Sequence, residues 1–408
     1  MPSIVSRIRH AGAAQPLGPV PFPWWENLPR DFAARPEPFA LSRRQARAVR
    51  ATAGFDVLLR TGGACLVGGA ALPVGYRPKE LARALEDIEL YLPMALGRDP
   101  KAFFRDPLPG VRVRAEKADW YPRFEPDDGV CETLRFDSPF MPVNPRLHTR
   151  YLRHARNRVA HARYWRHHDG PRPTLVAIHG FSADLYLLNE WFFALPWFYR
   201  MGCDVMLFTL PFHGERQPSR SPFSGYGYFA GGPSWINEAV AQSVMDFRIF
   251  VDWLQRSRGV ATIGVMGVSL GGFTAAILAA IEPRLKFAIP NVPVVSLSDL
   301  VLEWEPIGTF VRAALRLARR DIVDARRMLA VSNPLTYEAA LPSDRLMIVG
   351  GVGDRLAPPK HSRLLWEHWG RCAIHWFPGS HLLHLDRGGY LEETAKFLRR
   401  IGFLSPSG

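Results

Sequence analysis

The sequence predicts an α/β protein built on an open, mostly parallel eight-stranded sheet with helices on both faces. From about residue 129 onward, short and nearly continuous apolar runs recur along the chain, the pattern of parallel strands buried on both sides. Helical segments separate most of these runs, and such alternation implies parallel crossovers. Two segments of alternating polarity precede the first run, as strands with one covered face do.

In chain order the expected strands are 130–136, 158–165, 174–178, 204–210, 261–266, 285–289, 345–349 and 372–377. The expected helices lie at about 184–200, 235–256, 271–281, 360–369 and 390–401. Ser234 stands at the N-cap position of the second helix and Gly259 at its far end. The site of such a sheet lies at the carboxyl ends of its strands. Residues 1–128 read as a separate Pro-rich arm and helical N-terminal extension. The arm carries Pro16, Pro19, Pro21, Pro23, Pro29, Pro36 and Pro38 with Trp24 and Trp25. Helices are expected over 41–53 and, opening at Pro78, from Lys79 towards Met94. Pro100, Pro107, Pro109, Pro122 and Pro126 then break the chain into loops.

At 408 residues, with 47% hydrophobic and 22% charged, the chain is long enough for one large α/β core with additions. Cys65, Cys131, Cys203 and Cys372 are scattered without metal or redox spacing, so neither a metal site nor a disulfide framework is expected. No apolar run follows Arg7 and Arg9, and the Gly/Ala-rich stretch 61–76 is too short to span a bilayer. A cytoplasmic location is therefore expected. The net charge is +13, and its excess peaks between Arg146 and Arg172, where eight arginines and five histidines meet only Asp169. That stretch reads either as a solvated basic face or as a contact for anionic surfaces, including a peripheral membrane. No nucleic-acid module accompanies it, so no nucleic-acid partner is expected.

Chemistry centres on Gly267-Val268-Ser269-Leu270-Gly271, set between the run 261–266 and the helix that follows. A serine there occupies a sharp strand-to-helix turn, and tiny residues at Gly267 and Gly271 let strand and helix approach. The helix N-terminus then faces developing negative charge. The five-residue pattern alone is a weak signal; its placement between strand and helix gives it meaning.

On these residues, 129–403 resemble the α/β-hydrolase superfamily, whose sheet carries a nucleophile after strand five. The family's order is nucleophile, acid, histidine, and the resemblance implies a Ser269, Asp354, His381 triad. Asp354 lies just past the seventh expected strand, and Pro378-Gly379-Ser380-His381 follows the eighth. His384, three residues on, is the alternative base, since loop geometry decides between them. Asp344 lies at the wrong end of its strand. The segment Ile178-His179-Gly180-Phe181-Ser182 resembles the family's oxyanion loop. It implies that the amides of Phe181 and Leu270 form the oxyanion hole, with Gly180 allowing close approach and His179 orienting the loop. In Leu210-Pro211-Phe212-His213-Gly214 the family's usual leading acid is missing, which argues against its commonest small-ester subfamilies. The resemblance also implies that residues 291–340, within the domain 129–408, are a lid-like insertion. Val301, Leu302, Trp304, Phe310, Val311, Leu315 and Leu317 are candidates for its apolar underside, and residues 217–233 for a rim.

The reading is a cofactor-independent serine hydrolase that cleaves a carboxylic ester or thioester with a hydrophobic, lipid-like acyl group through an acyl-enzyme. The same triad serves an acyltransferase or a peptidase equally well. A reading from another class is a non-catalytic lipid- or partner-binding protein on a hydrolase scaffold.

Overall fold

The computed structural model describes residues 8–10, 18–118, 124–182, 186–385 and 387–405. Pro16, Pro122, Arg7 and the expected start of the 184–200 helix lie outside the described residues. Continuous apolar runs, Thr174–Ile178 and Asp204–Phe208 among them, form strands buried along their whole length. Nine strands share one sheet: β1 Arg114–Lys117, β2 Gly129–Asp137, β3 Val159–His167, β4 Thr174–Ile178, β5 Asp204–Phe208, β6 Ile263–Val268, β7 Leu285–Asn291, β8 Met347–Gly351 and β9 Ala373–Phe377. Their spatial order is β9-β8-β7-β6-β4-β5-β3-β2-β1. The ladders β1–β2, β2–β3 and β3–β5 are antiparallel and the others parallel. All eight expected strands are present in chain order. The ninth, β1, comes from the segment expected to be loops. Its four exposed residues pair along β2, an addition that the run Arg114–Lys117 does not advertise by any apolar pattern.

Period-two geometry sends alternate residues of each strand to opposite faces. Val176, Ile178 and Val265 join the larger core with Phe250 and Leu278. Leu175, Ala177 and Met266 join the other with Phe287 and Leu398. Trp24 and Trp25 belong to the larger core too, so the proline-rich arm packs into the main body.

The N-terminal helices depart from expectation. The helix expected over 41–53 runs on as α1, Arg43–Gly75, 33 residues opened by a capping box of Ser42 and Gln45. The run of small residues that weakens its helix propensity also lets neighbouring backbone approach. A Cβ on Gly75 would lie 2.2 Å from the Ala230 carbonyl. Tertiary packing overrides propensity here. The second expected helix is two, α2 Pro78–Glu86 and α3 Ile88–Gly97, meeting at Asp87. Helix α4, Pro233–Arg258, carries Pro233 in its first turn, so Gly232 holds the cap position expected for Ser234. The Ser234 hydroxyl instead donates to Asp87 at 2.8 Å. Gly259 closes α4 at φ 69°, as expected.

The stretch 146–172 is not a continuous basic surface. Arg146 pairs with Glu86 and Asp87, Arg150 with Glu80, Arg166 with Glu132 and Arg172 with Asp169. Arg163 is buried over the Tyr186 ring. Arg153, Arg156 and Arg158 remain exposed. No helix among the described residues is long and apolar enough to cross a membrane.

Candidate active site

The parallel strands β4 to β9 deliver their carboxyl ends to one edge of the sheet. Helix α5, Leu270–Ile281, follows β6 with a single residue between them, Ser269. Its backbone, at φ 55° and ψ −113°, lies in the left-handed half of conformational space that non-glycine residues avoid. The Ser269 amide donates to the Asn291 carbonyl at 3.0 Å, and its carbonyl accepts from Phe273 at 2.9 Å. Strain of this kind persists where the surroundings over-determine it. The two glycines supply that closeness. A Cβ on Gly267 would stand 2.1 Å from the Gly271 carbonyl, and one on Gly271 would stand 2.0 Å from that of Ile178.

The β4–β6 register pairs Ile178 with Gly267, so the loop after β4 begins beside the turn that holds Ser269. Gly180 faces the serine: a Cβ there would lie 3.4 Å from the Ser269 Cβ. Among the described residues neither the Phe181 amide nor the Leu270 amide donates to another backbone carbonyl. The His179 ring ties this loop to the one after β5. Its Nε2 accepts from the Leu210 amide at 3.1 Å and its Nδ1 meets the Gly180 carbonyl at 2.8 Å. Phe181 packs its ring against His213, Phe223 and Phe229.

On the other side, β8 and β9 run parallel in step, with Gly351 opposite Phe377. The pairing continues into the loops, Val352 donating to Phe377 and Gly353 to Gly379. Asp354 and His381 are carried outward together. The Asp354 carboxylate accepts from the amides of Leu356 and Ala357 through Oδ1 at 2.9 and 2.8 Å, and its Oδ2 meets His381 Nδ1 at 2.6 Å. Gly379 and Ser380 precede His381 because the chain doubles back there. Ser380 N donates to the Leu383 carbonyl, which a Cβ on Gly379 would approach to 2.3 Å. His384 lies apart from Asp354. Its Nε2 meets the His381 carbonyl at 3.2 Å, and its ring packs on Phe377 and Phe192.

Burial of the His381 ring opposes its protonation, but the charge and hydrogen bond of Asp354 outweigh that and hold its pKa above the ordinary histidine value, with Asp56 adding in the same direction. Burial in turn pushes Asp354 up, against the pull of His381. A buried imidazole facing a buried carboxylate through Nδ1 leaves Nε2 as the atom able to exchange a proton with a substrate-side group.

Asp56 was not among the residues singled out from the sequence. It lies on α1, fully buried, and its Oδ2 accepts from the amides of Arg355 at 3.0 Å and His381 at 2.8 Å. The signal was faint: Asp56 is the single acid between Glu37 and Glu80, within a run of small and apolar residues. Farther along α1, the Ala70 carbonyl accepts from Tyr226 and the Tyr76 hydroxyl donates to Phe229, both in the loop that packs on Phe181. At 1.5 Å per residue, the stretch from Asp56 to Ala70 covers ~21 Å, and α1 bridges the two banks of the site.

The segment 291–340, expected as a lid-like insertion, holds α6 Leu297–Glu303, α7 Ile307–Leu317 and α8 Ile322–Met328. Trp304 donates to the Leu356 carbonyl, in the loop of Asp354. Phe310 and Leu317, expected on an apolar underside, are 58% and 88% exposed and point to solvent. A shallow apolar depression of about 160 Å³ lies at the loop that follows His381, lined by Trp191, Phe192, Leu382, Leu383, His384 and Tyr390 among others. A larger cavity of about 430 Å³, walled by Phe22, Arg98, Glu338 and Trp369, includes none of the candidate site residues.

A family model described as the alpha/beta hydrolase fold matches residues 173–288, a span that holds Ser269 and the loop after β4 but ends before Asp354. The uncharacterized protein Rv2627c of Mycobacterium tuberculosis is 29% identical over 293 residues, or 69% of this chain and 66% of the relative. Its counterpart in a second strain matches equally. The match thus spans just under two thirds of those relatives' length. Acetyl xylan esterase 1 from a Thermoanaerobacterium species superposes with a TM-score of 0.54 at 17% identity, covering 78% of this chain and 94% of the esterase. An acetyl xylan esterase from a Paenibacillus species gives 0.54 and 17%, with 77% and 98% covered. At these identities the likeness is one of fold.

Proposed function

We propose, from its α/β-hydrolase fold, that the chain is a serine hydrolase cleaving a carboxylic ester or thioester with a hydrophobic acyl group. One observation carries the reading. A serine in a strained strand-to-helix turn shares a sheet edge with a buried His381–Asp354 pair 2.6 Å apart. In the proposed reaction His381 Nε2 takes the proton of Ser269 as its oxygen attacks the acyl carbonyl. Asp354 keeps the imidazole oriented and stabilises the imidazolium that results. The amides of Phe181 and Leu270 receive the oxyanion. His381 returns the proton to the departing alcohol or thiol, and water then attacks the acyl-enzyme by the same base.

The acyl preference rests on the apolar surroundings: Phe181 with Phe223 and Phe229 on one bank, and the Trp191–Leu383 depression beside the other. The proteins of similar fold are named for acetyl xylan, whose acyl group is small. Turnover of p-nitrophenyl esters from acetate to octanoate tests the difference. We expect kcat/KM to rise with chain length; a clear preference for acetate sinks the hydrophobic-acyl reading. Reaction with a fluorophosphonate probe tests the nucleophile itself, and absence of an adduct on Ser269 would favour a binding protein on this scaffold.

A further inference from the structure

We propose that Asp56, delivered by the N-terminal helix α1, is a positioning residue that holds the Asp354 and His381 loops in working register. The inference rests on the triad reading above. Asp354 and His381 sit on loops after different strands, and their side-chain hydrogen bond demands that both loops keep their relative height. One oxygen of Asp56 accepts from the amide of the residue after Asp354 and from the amide of His381 itself, at 3.0 and 2.8 Å. A single carboxylate thus clasps both loops next to their functional side chains. Two charge-assisted bonds to backbone amides are strong and short-ranged.

Other features of α1 fit a clasp. Its Val49 seats against Gly353, where a Cβ would come within 3.0 Å of Val49 Cγ1. Arg60 donates to the Arg355 carbonyl at 3.2 Å, one helical turn beyond Asp56. The second carboxylate oxygen of Asp56 is buried and has no hydrogen-bond partner among the described residues. A merely structural helix contact is served better by an apolar side chain, because an unpartnered buried oxygen is costly. The negative charge also favours the imidazolium form of His381, alongside Asp354.

The test compares Asp56→Ala, Asp56→Asn, Asp56→Glu and Gln45→Ala in the full chain. Gln45→Ala breaks the capping box at the start of the same helix. Readouts are the rate of fluorophosphonate labelling at Ser269 and the kinetics of p-nitrophenyl ester hydrolysis, with circular dichroism and melting as folding controls. Asp56→Ala should lose ~10- to 100-fold in labelling rate and kcat with little change in KM, the scale set by misplacing a catalytic group. Asp56→Asn keeps an acceptor of the same length and should recover most of the loss, and Gln45→Ala should label at the wild-type rate. Should Asp56→Ala fail to fold, Asp56→Glu replaces it: it keeps the charge but misplaces the oxygens, so it should be slower than Asp56→Asn. Labelling of Asp56→Ala at the wild-type rate overturns the inference, as does an equal loss in Gln45→Ala or Asp56→Asn no faster than Asp56→Glu. No adduct on wild-type Ser269 sinks the triad reading and this inference with it; an adduct with Asp56→Ala unaffected sinks this inference alone.

Discussion

The Ile178 carbonyl and the α-carbon of Gly271 are in such close contact that a methyl group on Gly271 would lie 2.0 Å from the oxygen. The obstacle is backbone on both sides, the end of β4 and the first turn of α5, and neither moves without shifting the sheet edge. Gly271→Ala should therefore destabilise the protein by about 3 kcal/mol or more and abolish labelling of Ser269, as urea unfolding and probe reaction will show. Gly180→Ala is the gentler counterpart, with 3.4 Å to the Ser269 Cβ. It should fold with near-normal stability yet slow turnover by ~10-fold, because the added methyl crowds the space beside the nucleophile.

Removing the proposed nucleophile or its orienting acid should act mainly on kcat. Ser269→Ala and Asp354→Asn are each expected to lower ester turnover by roughly ten-thousand-fold, as triad members acting as a unit do. His384→Ala should stay within about tenfold of wild type, since its ring faces Phe377 and Phe192 and not Asp354. Equal losses in His381→Ala and His384→Ala would count against the assignment of the base.

The raised pKa of His381 sets the direction of the pH profile. A protonated imidazole cannot accept the serine proton, so activity is present above that pKa and falls as pH drops through it. The acid limb of kcat/KM should have its midpoint above 6.5, the ordinary histidine value. A limb well below it would contradict the buried His381–Asp354 pair.

Arg326 is a buried fastener between the N-terminal arm and the segment 291–340. It grips Asp299 through two nitrogens at 2.9 and 2.6 Å and donates to the carbonyls of Leu28 and Pro29 at 2.6 and 2.9 Å. Truncation leaves Asp299 buried and uncompensated, so Arg326→Ala should cost ~3–5 kcal/mol. Urea unfolding measures the loss, and faster proteolysis near Leu28 would show the arm released.

The sheet was legible because its strands are buried on both faces, and such strands write themselves as apolar runs; Thr174–Ile178 and Ile263–Val268 are examples. Ser269, Asp354 and His381 could be singled out by their positions after the fifth, seventh and eighth expected strands, since a parallel sheet sends all those ends to one edge. Helix α1 was not legible beyond its first third. Gly54, Gly62, Gly63 and Gly69 lower helix propensity, and the contacts that hold the helix are made by segments about 150 to 325 residues away. Asp56 was hidden for the same reason, since its partners are two backbone amides, which carry no side-chain signature. The outward direction of Phe310 and Leu317 was equally out of reach, because helical spacing marks an apolar stripe without saying what covers it.

The clasp at Asp56 joins residues 299 and 325 positions apart in the chain. Contacts of that span form late, because a long loop must close before they repay it. During synthesis, α1 emerges long before the strands that carry its docking partners, and it waits with Leu58 and Leu66 uncovered even in the finished fold, at 70% and 56% exposed. Assembly of the site is thus expected to be the closing act of folding. In a refolding experiment the far-UV signal should return first and reactivity at Ser269 only afterwards, so a partly made molecule is chemically silent.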